Sequence, residues 1–141
     1  MDLKTMYREI VNEHNLHPTH KFDLDNPTKV LRGINPSCGD DINLQLEIEN
    51  GIITDGSYSG SGCAISQASA DMMLDLIIGK TTDEAGDLCE KFLKMIKGEA
   101  SCEEIDELDE AASLADISHM PARVKCAQLG WRTLEEMIDD K

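Results

Sequence analysis

Between Ile42 and Ile48 every second residue is aliphatic, with Asn43, Gln45 and Glu47 in between, and Asn50-Gly51 follows at once. Side chains alternate across a strand, so this spacing gives one apolar and one wetted face. Asn-Gly tolerates the positive φ that a two-residue hairpin turn demands, and "IITDGSYSGSG" then supplies the returning strand. "TKVLRGIN" upstream reads as a further strand. A chain committed to this hairpin needs something apolar to cover it, and an antiparallel sheet of about three strands is the expectation.

After Gly62 the period changes from two to 3.6. "CAISQASADMMLDLIIGK" reads as a helix ending at Gly79. "TTDEAGDLCEKFLKMIKG" opens with a capping box from Thr81 to Glu84 and closes at Gly98. "SCEEIDELDEAASLADI" begins with a second box, Ser101 to Glu104, and is strongly acidic. Pro121 suits a helix start, with Val124, Ala127, Trp131, Leu134 and Ile138 forming one stripe towards the C-terminus. Residues 2 to about 15 read as an opening helix capped by Asp2, with Leu3, Met6, Ile10 and Val11 on one face. The Pro- and Asn-containing stretch "NLHPTHKFDLDNPTKV" reads as a loop wrapping over the domain. Strands followed by helices give an α+β class, with helices mainly on one face of the sheet and residues 1–141 as one domain.

Aromatic residues make up 4% of the chain, so that core must be aliphatic, with seven methionines as fillers. No apolar stretch is long enough to span a bilayer, and the N-terminus has no signal-peptide pattern, which makes a cytoplasmic setting the expectation. Acids number 28 against 13 Lys and Arg, for a net charge of −15. Binding to nucleic acid or an anionic membrane needs clustered cations, so both are expected to be absent as partners. A basic protein or a metal cation remains compatible, as does a merely solvated acidic surface.

Five cysteines are an odd count for a disulfide framework, and in a reducing compartment metal binding, catalysis or burial are the alternatives. Cys38 lies in "NPSCGD", where Asn-Pro and Cys-Gly-Asp are turn chemistry. It is either a surface thiol beside an Asx-turn or a reactive loop residue, with Asp40 able to reach the same point. Cys63 sits at the first turn of its helix, where unpaired N–H groups and the helix dipole favour thiolate. Gly60 and Gly62 let other backbone approach it, and core packing is the plain alternative. Cys126 lies early on the last helix, beside its apolar stripe. Arg123 and Lys125 either lower a nearby thiol's pKa or face solvent. Cys89 shares an apolar face with Ala85, Phe92 and Ile96 and reads as core, whereas Cys102 sits among acids in a cap.

Three cysteines with Asp40 make a donor set suited to tetrahedral zinc, although the fold would have to assemble it because 63 and 126 are remote from 38 and 40. His17 and His20 have chelating spacing but read as surface residues, and His14 and His119 have no context. No phosphate-binding glycine loop, Ser-His-Asp order or HExxH motif is present.

In order, "NPSCGD" (35–40), "GSGCAISQASADMM" (60–73) and "RVKCAQLGW" (123–131) resemble the iron–sulfur scaffold superfamily of IscU and SufU proteins, and most closely its SufU branch. With the intervening hairpin the likeness spans most of the chain. IscU-type scaffolds carry a histidine immediately before the third cysteine, where this chain has Lys125. They also have a shorter stretch between the second and third cysteines, filled here by extra helical sequence.

The resemblance implies that Cys38, Asp40, Cys63 and Cys126 hold one zinc ion. It implies that Cys38 receives persulfide sulfur from a cysteine desulfurase of the SufS type, a desulfurase histidine taking its place on the metal. Arg123 matches a basic residue near the site. The implied activity is a zinc-dependent sulfurtransferase feeding downstream cluster-assembly proteins. The alternatives are a scaffold binding iron or a [2Fe–2S] cluster on the same cysteines, and a small interaction module with structural zinc.

Overall fold

The hairpin forms where the alternation places it. In the computed structural model, which describes residues 3–37 and 39–139, β2 (Asp40–Glu49) and β3 (Ile52–Ser61) pair antiparallel around Asn50 and Gly51, both at positive φ. β1 (Lys29–Asn35) pairs antiparallel with β2 on its other side, so the sheet order is β1-β2-β3. Ile42, Leu44 and Leu46 are buried as expected. Ile48 is only partly buried, and the register shifts beside it, between Glu47 and Ile48.

The opposite face is drier than the alternation implies. Gln45 is buried, because the loop after the first helix folds over it. Its Oε1 accepts the Leu24 N–H at 2.9 Å and its Nε2 donates to Asp23 at 2.8 Å. Here a polar side chain on the face read as wet is satisfied by chain instead of water.

Helices cover the apolar face. α2 (Ala64–Ile77) packs on β3, and α5 (Pro121–Asp139) lies on β1 and β2 and against α2. α2 is buried nearly all round, because α1 (Leu3–Leu16) flanks it on a further side. Val11 of α1 is in the core. The expected cap Asp2 and the side chains of Leu3 and Met6 lie outside the described residues. α3 (Thr82–Ile96) has both halves of its capping box formed and buries Ala85, Cys89, Phe92 and Ile96 as one face. Phe92 stacks on Trp131 of α5, with ring centroids 4.1 Å apart, and the Trp131 indole donates to Ser69 of α2 at 3.0 Å. Ala127 and Leu134 complete the buried part of the α5 stripe, with Val124 and Ile138 at its half-buried margins.

The acidic segment between α3 and α5 departs from a plain α-helix. The Ser101–Glu104 box forms, but α4 (Cys102–Asp106) stops after five residues, and Asp109 turns to φ +49°. A 3₁₀ segment, Asp109–His119, follows. Its buried residues Ala111, Leu114 and Ile117 continue from buried Leu108 at intervals of three, the spacing that brings side chains into line at three residues per turn. No helix among the described residues is long and apolar enough to cross a membrane.

Candidate metal centre

Three elements converge at one end of the sheet. Asp40 opens β2, Cys63 precedes α2, and Cys126 lies near the start of α5. A carboxylate oxygen of Asp40 and the sulfurs of Cys63 and Cys126 all lie within 4.8 Å of one another. Asp40 is 0% exposed and Cys126 3%, while Cys63 is half-buried.

Each donor is held by its own neighbours. Cys63 is the N-cap of α2 itself, one step before the first turn, and its sulfur accepts the Ser66 N–H at 3.4 Å. A thiolate placed there meets an unpaired helical N–H and the positive end of the dipole. Asp40 Oδ1 accepts the Cys63 N–H at 2.9 Å and the Ser66 hydroxyl at 3.1 Å, and its Oδ2 accepts the Asn35 amide at 3.2 Å. That amide also donates towards Cys126 Sγ at 3.8 Å. Asn35 ends β1 directly across the ladder from Asp40, which is how it reaches both.

At Gly62 the close neighbours are side chains, not the backbone expected from the sequence. A Cβ there would come within 2.4 Å of Ser66 Oγ and 2.9 Å of Asp40 Oδ1, so a side chain would displace the carboxylate. At Gly60 the close neighbour is backbone, as read from the sequence: its φ is +110°, and a Cβ would lie 2.1 Å from Asp41 O.

Cys38, read as a surface thiol or a reactive loop residue, lies outside the described residues, between β1 and β2 in the chain. Arg123 and Lys125 are exposed on the first turns of α5. Cys89 is core, as read, and Cys102, read as lying among acids in a cap, is exposed at the first position of α4.

Asn35 and Ser66 were read only as turn and helix residues, and no local pattern marks them as supports for a metal site. His14 is a further departure. It has no context in sequence, yet it is 7% exposed and bonded through both ring nitrogens, to Asp71 at 2.6 Å and Glu110 at 3.1 Å. His17 and His119 are exposed. His20 is half-buried and pairs with Asp75 at 2.6 Å.

Two cysteine sulfurs and a carboxyl group, with Asp40 and Cys126 buried and Cys63 half-buried, form a donor set whose softness suits zinc or an iron–sulfur centre. The family model for the NifU-like N terminal domain matches residues 6–140. The iron–sulfur cluster assembly scaffold protein IscU of Thermotoga maritima is 41% identical over 98% of this chain and 96% of its own. The zinc-dependent sulfurtransferase SufU of Bacillus subtilis is 38% identical over 97% and 92%. A crystal structure of a proposed SUF-system scaffold protein from Fervidobacterium islandicum superposes with a TM-score of 0.84 at 32% identity, covering 96% of this chain and 98% of that one.

Proposed function

The chain belongs to the NifU-like N terminal domain family, the iron–sulfur cluster assembly family of IscU and SufU proteins, and from that premise we propose that it is a zinc-dependent sulfur-transfer protein of the SufU type. The observation that carries this reading is the Asp40–Cys63–Cys126 cluster, brought together from three parts of the fold. With Cys38 it offers four donors, the number a closed zinc site requires. Zinc bound there would keep the thiols ionised at neutral pH without redox chemistry of its own.

The transfer step belongs to Cys38. Its thiolate attacks the outer sulfur of a persulfide on a cysteine desulfurase; a new S–S bond forms on Cys38, and the desulfurase cysteine leaves as thiolate. A place in the turn-forming stretch "NPSCGD" favours this residue over Cys63, the N-cap of α2, and Cys126, in the second turn of α5. On this reading Arg123, exposed one turn before Cys126, meets the anionic persulfide or the partner's surface. The sulfur then passes to downstream cluster-assembly proteins, in a cytoplasmic setting where thiols stay reduced. The whole chain, 1–141, acts as one such unit.

Lys125 favours this branch, because IscU-type scaffolds have an imidazole at that position. The second reading, a scaffold on which a [2Fe–2S] cluster is built, is favoured by the 41% identity to a protein named as a scaffold. Cys38→Ala separates the readings when desulfurase turnover and bound metal are measured together. Transfer predicts that stimulation of the desulfurase disappears while part of the zinc is retained. Full stimulation by the variant would remove the transfer reading. A wild-type protein that carries iron and a thiolate-to-iron visible band in place of zinc would establish the scaffold. Loss of fold alone would leave a structural zinc.

A further inference from the structure

We propose that His14, Asp75 and Glu110 form a second site, for a divalent first-row transition metal ion, separate from the cysteine cluster. A ring nitrogen of His14 and a carboxylate oxygen from each acid lie within 4.8 Å of one another. Zinc–nitrogen and zinc–oxygen bonds are about 2.0–2.2 Å, so small side-chain rotations bring all three onto one ion. Asp75 follows Cys63 by twelve positions along α2, which at a rise of 1.5 Å per residue separates the two sites by roughly 18 Å.

What distinguishes this cluster from ordinary surface acids is the support behind it. Asp71 is fully buried; its Oδ2 lies 2.6 Å from His14 Nδ1, and its Oδ1 accepts the His20 backbone N–H at 2.9 Å. Both ring nitrogens face carboxylate acceptors, Nδ1 towards buried Asp71 and Nε2 towards exposed Glu110, so Nε2 is the nitrogen open to an ion. A carboxylate behind the non-ligating nitrogen is the usual arrangement of metal-bound histidines. Asp75 is held in the same way, with Oδ1 2.6 Å from His20 Nε2.

The site is accessible. Asp75 and Glu110, with Met72 and Leu108, line a surface cavity of about 280 Å³ that leaves space for water ligands. One imidazole and two carboxylates suit Mn²⁺, Fe²⁺, Co²⁺ or Zn²⁺, whereas the sulfur-rich cluster selects softer or thiophilic ions. When Nε2 is protonated in the apo protein, binding an ion releases that proton and joins α1, α2 and the 3₁₀ segment at one point.

Cobalt titration of the full chain tests this, because the two sites give different spectra. A thiolate site produces an intense sulfur-to-cobalt charge-transfer band; a nitrogen–oxygen site gives only weak ligand-field bands. The wild type is expected to bind two equivalents, one of each kind. Glu110→Gln changes a side chain that is 60% exposed and should leave the fold intact. It is expected to weaken the second equivalent at least tenfold and keep the charge-transfer band. His20→Gln, which removes only the support of Asp75, should weaken it by about tenfold. A wild type that binds no nitrogen–oxygen equivalent would overturn the proposal, as would one bound equally well by Glu110→Gln and Asp75→Asn. Absence of the charge-transfer band would count against the sulfur-transfer reading alone.

Discussion

Asp40 would serve the candidate centre twice, as a donor to a bound ion under the proposed reading and as the acceptor that fixes its neighbours. Its two oxygens take the Cys63 N–H, the Ser66 hydroxyl and the Asn35 amide inside the protein. Removing the carboxylate therefore leaves donors without partners whether or not an ion is bound, at about 1–3 kcal/mol for a buried unsatisfied group. Asp40→Ala is expected to lower the stability of the metal-free protein by about 2 kcal/mol in urea unfolding. An unchanged midpoint would mean that the carboxylate acts only as a ligand. The residues proposed to hold sulfur and metal are legible in the sequence, since cysteines in a turn-forming stretch and at a helix start are conspicuous. Asn35 and Ser66 are not, because their role depends on the β1–β2 register and on where α2 meets the sheet.

At the level of elements, local signals decided where helices start and stop. The boxes at Thr81–Glu84 and Ser101–Glu104 form as written, because each is closed by residues three apart. Glu104 is held well below the usual carboxylate range, at about 2, first by the Lys94 ammonium and then by the Ser101 N–H. A carboxylate whose pKa is depressed by folding adds stability that is complete above its ordinary value of 4.5 and is lost as pH falls towards 2. Acid unfolding followed by circular dichroism is expected to show a shallower loss of stability over that window in Glu104→Gln than in the wild type. Its exposed setting keeps the contribution modest and sensitive to salt. The 3₁₀ segment was less legible. Its every-third apolar spacing is present at Leu108, Ala111, Leu114 and Ile117, but the same residues also fit a helix of 3.6 until packing selects between them.

Across the whole molecule, a metal ion at the cysteine centre would bind β2, α2, α5 and the β1–β2 turn to one point, none of which an unfolded chain brings together. Binding to the native state alone stabilises by mass action, about 2.7 kcal/mol at a hundredfold excess over Kd. Stripping the ion with a chelator is therefore expected to lower the Tm by on the order of 10 °C in a thermal melt, and restoring zinc should recover it. An unaltered Tm at full metal removal would show that the fold stands without the centre.

The hairpin, the helix caps, the aliphatic core and the nature of the donors were determined by sequence, because each rests on φ preferences, periodicity or side-chain chemistry within a few residues. The tertiary structure alone decided that Gln45 is buried, that Asn35 bridges Asp40 and Cys126, and that His14 faces Asp71 and Glu110. These contacts join residues distant in the chain or across a strand pair. They depend on register and helix docking, which arise from packing summed over the whole core and are written in no single segment.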